Sequence, residues 1–389
     1  MSARAKPRFV SVLYLVGLPI FLFAGCVTPA APATPAVATK PQRLALCTET
    51  PVRVFAPLGE TQTRGCVVTF TQEISDPASV GWLGMRQAVR RYLVYAPPKL
   101  PPGPVPLVFV FPGSTASAES AAVYYTHTRF ETLADRDGFV VVYGNGLPTP
   151  FWPGDKPSVP KGGFLPGCWA PHAGEGLDVT YVRTIVAQLE KELPIDRHRI
   201  YATGLSMGGG MSLQLALEAP DLVAAVAPVA PVPFHPSGEW LRSCHPRPGY
   251  ETISVAMLAA TADPFVSYAP GPSTIYPQAH FPGMEQTRDA WLQAMKISGA
   301  PTTEAFPDRV DGDSYLPHTG SSSSTIERQS YPAGPDGQEL WYYKATGMGH
   351  WWPSPKPMWK GLWATFGKNN QDVDFADQAW EFFQRHRKK

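Results

Sequence analysis

The sequence predicts an α/β domain built on a doubly wound, mostly parallel sheet. One observation is the alternation of short apolar runs with segments of helical period along most of the chain. A second is that several runs are apolar throughout, as strands covered on both faces require. A third is the stretch Ile200-Tyr201-Ala202-Thr203-Gly204-Leu205-Ser206-Met207-Gly208, in which a β-prone run enters a G-x-S-x-G turn and a helix former leaves it. At 389 residues, with 44% hydrophobic and 17% charged, the chain can bury a sizeable core. Its net charge of +1 argues against a nucleic-acid surface.

The chain opens on a targeting pattern. Arg4, Lys6 and Arg8 form a basic region, and residues 9–23 are apolar but interrupted by Gly17 and Pro19, short for a bilayer span. The run ends in Phe23-Ala24-Gly25-Cys26, which resembles a bacterial lipobox with Phe23 where leucine is usual. That resemblance implies cleavage before Cys26 and lipidation of its thiol. An ordinary secretory signal cut after a small residue is the alternative, and either route exports the protein. Residues 26–43 are rich in proline and alanine and favour extended polyproline II, a tether unable to build a core. Val27 follows Cys26 where inner-membrane lipoproteins typically carry aspartate, so outer-membrane anchoring is expected by analogy. The expected division is a signal over 1–25, a tether over 26–43 and a catalytic domain over 44–389. The only expected membrane contact is the N-terminal lipid.

Four cysteines remain, Cys47, Cys66, Cys168 and Cys244. An even number in an exported chain points to two disulfides, with three pairings open. Locality favours Cys47–Cys66 and Cys168–Cys244. No cysteine spacing suits zinc, and neither metal nor cofactor is expected; the chain is expected to be a monomer.

The elements follow in order. Residues 91–95 alternate and stop at Ala96-Pro97-Pro98, a strand closed by prolines. Residues 107–111 read as a buried strand ending at Pro112-Gly113-Ser114-Thr115. A helix over 130–135 precedes a buried strand over 138–143, and 178–193 has helical period with Val179, Val182, Ile185, Val186 and Leu189 on one side. After the G-x-S-x-G turn come strands over 223–229 and 252–258, a helix over 284–295 with Trp291 inward, a strand over 338–344 and a closing helix over 378–385. The serines at 321–324 read as a solvated loop.

Open α/β sheets form their sites at the carboxyl ends of strands. Ser206 lies at one such end, Asp263 follows the 252–258 strand, and His350 follows the 338–344 strand in Gly347-Met348-Gly349-His350-Trp351-Trp352-Pro353. The order Ser, Asp, His is that of α/β-hydrolases. Of nine histidines, only His280, His318, His350 and His386 follow Asp263. His280 and His318 read as loop residues without a preceding strand, and His386 sits in a basic tail. Asp308, Asp311 and Asp313 compete with Asp263 but share a polar loop. A serine hydroxyl is a poor nucleophile at neutral pH, so His350 is expected to take its proton, with Asp263 fixing the imidazole tautomer. The oxyanion needs two N–H donors, expected from Met207 and from Ser114 in the loop after the 107–111 strand.

On these motifs, from residue 91 to residue 383, the chain resembles the exported esterases grouped with polyhydroxybutyrate depolymerases, feruloyl esterases and acetylxylan esterases. The resemblance rests on Pro112-Gly113, Cys168-Trp169, Asp178-Val179, the elbow, Asp263-Pro264-Phe265-Val266 and Gly349-His350-Trp351-Trp352-Pro353. Pro112 stands where the family has histidine. The resemblance implies the α/β-hydrolase fold and a serine esterase. Small soluble esters are the expected substrates (hydroxybutyrate oligomers, feruloyl or acetyl esters), because the one linker lies beside the lipid and no binding domain follows residue 385. Trp351 and Trp352 are expected to wall the substrate, with core packing as their alternative role. A lipid-anchored binding or scaffold protein on an inactive hydrolase fold is the competing reading.

Overall fold

The structure is a computed structural model and describes residues 53–56, 59–62, 64–73, 87–114, 116–148, 162–163, 177–232, 253–274, 280–310, 324–356 and 363–388. Its frame is a ten-stranded sheet. In chain order the strands are β1 (Cys66–Glu73), β2 (Gln87–Tyr95), β3 (Val105–Phe111), β4 (Val140–Gly144) and β5 (Ile195–Leu205). They continue with β6 (Ala225–Val229), β7 (Ser254–Ala260), β8 (Thr302–Ala305), β9 (Thr325–Ser330) and β10 (Leu340–Thr346). Across the sheet they run β8-β9-β10-β7-β6-β5-β3-β4-β2-β1. The centre, β4-β3-β5-β6-β7-β10, is parallel, and antiparallel strands finish both edges.

Helices cover both faces. Leu107, Phe109 and Phe111 of β3 pack with Val179, Val182 and Ile185 of α2 (Leu177–Leu189), Met211 and Leu215 of α3 (Met207–Glu218) and Trp291 of α4 (Met284–Ala294). Val108 and Val110 point the other way, into a cluster with Phe130 and Leu133 of α1 (Arg129–Asp137) and Trp380, Phe382 and Phe383 of α5 (Phe375–Gln384). Alternate residues of one strand thus feed two cores, which is why β3 reads as a continuous apolar run. Each of these fully buried side chains contributes about 1.5–3 kcal/mol by leaving water.

The expected strands and helices are present with shifted ends, and β1, β8 and β9 are additions. β8 is exposed along its whole length, and in β9 only Ile326 is buried. Edge strands of that composition give no hydrophobic period to read. The serine patch needs correction at its one described residue: Ser324 is fully buried, and its carbonyl and hydroxyl oxygens accept from Asn370 Nδ2 at 3.2 and 3.1 Å. Among the described residues no helix is long and apolar enough to cross a membrane. The signal and tether, 1–43, lie outside the described residues.

Candidate active site

Ser206 directly follows β5 and caps α3 with φ 61° and ψ −119°, backbone angles that few side-chain-bearing residues adopt. The end of β6, the residues after it and the first turn of α3 hold that conformation. The Ser206 N–H donates to Val229 O at 2.9 Å, while Ser206 O accepts from Gly210 N at 2.9 Å and Val232 N at 3.1 Å. The turn has no room for side chains beside the serine. A Cβ on Gly204 would lie 2.6 Å from Phe111 O, and one on Gly208 only 2.1 Å from the same oxygen. Glycine at both places lets β3, the turn and α3 close together.

Asp263 and His350 follow the ends of the adjacent parallel strands β7 and β10 and meet there, Nδ1 to Oδ2, at 2.6 Å. The other carboxylate oxygen, Oδ1, accepts from the Phe265 and Val266 N–H groups, both at 2.8 Å. Asp263 is therefore oriented by its own turn before it orients the histidine. The histidine is fixed from its backbone too: its N–H donates to Phe366 O at 2.7 Å, and a Cβ on Gly349 would lie 2.1 Å from that oxygen. The Phe265 ring lies 5.0 Å from the imidazole, centroid to centroid. With Nδ1 engaged by Asp263, Nε2 is the nitrogen left for proton transfer.

The competing residues fall elsewhere. Asp308 lies in a described loop, and Asp311, Asp313 and His318 lie outside the described residues. His280 belongs to a two-residue strand, His280–Phe281, paired with Gly271–Pro272, and not to a plain loop. His386 is buried against α5, its Nδ1 2.7 Å from Phe382 O.

Met207 opens α3, so its N–H lies among the orphan donors of a helix N-terminus. The loop carrying Ser114 runs beside the serine: a Cβ on Gly113 would lie 3.4 Å from Ser206 Cβ. Sequence reading missed what braces this loop. Ala118 N donates to Asn145 Oδ1 at 2.8 Å, and Asn145 O accepts from Arg90 Nη2 at 3.0 Å. Arg90 pairs with Asp178 at 2.8 Å with both side chains fully buried, and its guanidinium lies 3.7 Å over the Tyr181 ring. The visible signal was Asp178 opening a helical segment; nothing in the chain order announced Arg90 as its partner.

Trp351 and Trp352 are only 4% and 3% exposed. Trp351 Nε1 donates to Gly367 O at 2.8 Å, and the Trp352 ring packs edge-on to Phe130 and Phe375. They are core residues here and not a substrate wall: Trp352 packs between α1 and α5, and the Trp351 ring lies 5.1 Å from that of Phe366, so both rings are taken out of water by protein. Cys66 is disulfide-bonded, while Cys26, Cys47, Cys168 and Cys244 lie outside the described residues. No group of side chains suited to a metal occurs among the described residues.

The family described as Esterase PHB depolymerase matches residues 90–276, a stretch that includes Ser206 and Asp263 and ends before His350. The chain is 27% identical over 304 residues to the NocK protein of Nocardia uniformis subsp. tsuyamanensis, named among the esterases, covering 77% of this chain and 79% of that one. It is 33% identical over 135 residues to the bifunctional acetylxylan esterase/xylanase XynS20E of Neocallimastix patriciarum, covering 35% of this chain but only 17% of that protein. An acetyl xylan esterase structure from Aspergillus awamori superposes with a TM-score of 0.47 at 17% identity, covering 81% of this chain and 99% of that one. The chain is a carboxylic ester hydrolase of the α/β-hydrolase fold, with an Esterase PHB depolymerase match over residues 90–276.

Proposed function

We propose that the chain is a serine esterase hydrolysing small soluble carboxylic esters through an acyl-enzyme. The observation that carries this reading is the 2.6 Å Asp263–His350 bond, formed at strand ends two and three places across the sheet from a strained Ser206. Ser206 Oγ attacks the ester carbonyl carbon as His350 Nε2 takes its proton. The oxyanion is held by the N–H groups of Met207 and Ser114. Collapse breaks the bond to the alkoxy oxygen, which leaves as the alcohol with the proton from His350. Water then attacks the acyl group with His350 again as base, and the acid departs as Ser206 regains its proton.

Hydroxybutyrate oligomers and feruloyl or acetyl esters are the proposed substrates, supported by the family description and by the acetylxylan esterase activity in one relative's name. The test is reaction of the purified protein with a fluorophosphonate probe, beside hydrolysis of p-nitrophenyl butyrate, hydroxybutyrate trimer, methyl ferulate and crystalline polyhydroxybutyrate film. Labelling that disappears in Ser206→Ala, with turnover of the soluble esters, is expected. A protein that neither labels nor hydrolyses any ester is a scaffold on a hydrolase fold. Clearing of the film without soluble-ester activity overturns the substrate class.

The protein is further proposed to be exported and tethered through a lipid on Cys26, with disulfides Cys47–Cys66 and Cys168–Cys244. The bonded state of Cys66 supports the first pairing. It is proposed to act as a monomer without cofactor.

A further inference from the structure

Beside Ser206, an irregular segment carries a hydroxyl that the mechanism above leaves unused. After the loop of Gly113 and Ser114, the chain forms a helical turn, Ala118–Ser120, that widens into a π-helical turn, Ala121–Tyr125. Such turns are frequent at functional sites because the extra residue re-aims a side chain. Thr126 closes this one, its Oγ1 donating to Ala121 O and Ala122 O, both at 3.1 Å. His127 and Thr128 follow with φ of 48° and 56°, left-handed angles unusual for residues with side chains. The backbone here is held in uncommon geometry by a fully buried threonine.

What that geometry delivers is the Tyr125 side chain. A Cβ on Gly113 would lie 3.4 Å from Ser206 Cβ and 3.7 Å from the Tyr125 hydroxyl oxygen. Nucleophile and phenol therefore flank the same glycine, next to the Ser114 amide assigned to the oxyanion. Two tyrosine hydroxyls nearby are engaged: Tyr143 donates to Glu131 Oε2 at 2.8 Å, and Tyr181 to Arg91 O at 2.7 Å; the Tyr124 hydroxyl is buried without a partner among the described residues, but it is Tyr125 that lies beside Gly113. Tyr125 is partly buried, and its hydroxyl has no hydrogen-bond partner among the described residues. Burial raises its pKa well above the usual phenol range, so the group remains a donor at any working pH.

We infer that the Tyr125 hydroxyl donates a hydrogen bond to the ester oxygen that gains negative charge as Ser206 attacks. It supplements the two backbone donors and adds no covalent step. The inference rests on the serine-esterase reading. Its test is Tyr125→Phe in the full chain, a change that removes one oxygen and keeps the ring's packing. With p-nitrophenyl butyrate, kcat is expected to fall about tenfold, the effect of one lost neutral hydrogen bond, with KM within about twofold. Phenylboronic acid, which forms a tetrahedral adduct with an active serine, is expected to lose affinity by a similar factor while the melting temperature holds. A kcat within about twofold of the parent overturns the inference, and so does a fall in kcat with unchanged boronate affinity. Ser206→Ala run in parallel separates the two levels. If it still hydrolyses the ester, the reading of Ser206 fails; if it is dead while Tyr125→Phe is normal, only the role of Tyr125 fails.

Discussion

Asp263 uses its two carboxylate oxygens for different work: Oδ1 holds the turn through Phe265 and Val266, and Oδ2 holds His350. An asparagine here keeps an oxygen for the turn but presents an NH₂ group to His350 Nδ1, which imposes the wrong tautomer. Asp263→Asn is therefore expected to keep its melting temperature and lose about four orders of magnitude in kcat, the size of effect known for such a change in another triad enzyme. Asp263→Ala is expected to lose both activity and melting temperature. Near-normal turnover by Asp263→Asn would remove the acid from the mechanism. The three proposed catalytic residues were legible because each sits at a strand end with flanking glycines or a turn motif. Tyr125, Trp351 and Trp352 were not legible in this way. An aromatic side chain reads alike whether it faces a cleft or a core, and only the packing around it decides.

At the scale of elements, α1 carries a cost that depends on pH. Glu131 on α1 is fully buried, and burial raises its pKa to about 7, against a smaller opposing effect of the Tyr143 hydroxyl. The folded state therefore favours the protonated acid. The stability linked to Glu131 is fully present below its unfolded pKa of about 4.5 and is lost as pH rises through about 7. Glu131→Gln mimics the neutral form, so its melting temperature relative to the parent is expected to rise from pH 5 to pH 8. A difference independent of pH would show that Glu131 does not titrate in this window. Reading the difference between the two proteins removes contributions they share. One is Asp374, also raised to about 7 by burial and then by Asp377; another is His127, which burial lowers to about 4, with the opposite sign. Helix α1 itself was expected over 130–135, but Glu131 on its buried side was not, because a carboxylate in a helical segment ordinarily reads as solvated.

For the whole molecule, the doubly wound sheet brings residues more than a hundred positions apart to the carboxyl ends of its strands, and the proposed lipid tether belongs to the same scale. The tether is checked by metabolic palmitate labelling in a bacterial host, where the label is expected on the parent and absent from Cys26→Ser. Labelling that survives the substitution rules out a lipid at Cys26, and release of unlabelled protein into the medium favours ordinary secretion. The parallel centre of the sheet was legible because its strands are covered on both faces and therefore apolar throughout. The β8–β9 extension was not, being polar edge strands whose pairing depends on β10 rather than on their own composition.

The sequence by itself determined the fold class, the elbow, and the order Ser206, Asp263, His350, because each follows from local chemistry: apolar period, glycine where a Cβ cannot fit, and polar groups at strand ends. The tertiary structure decided the rest. It paired Asp263 with His350, buried the two tryptophans, joined Arg90 to Asp178, and set Tyr125 beside the nucleophile. Those outcomes depend on contacts between residues distant in the chain, and no local pattern encodes which of several equivalent side chains a given neighbour will meet.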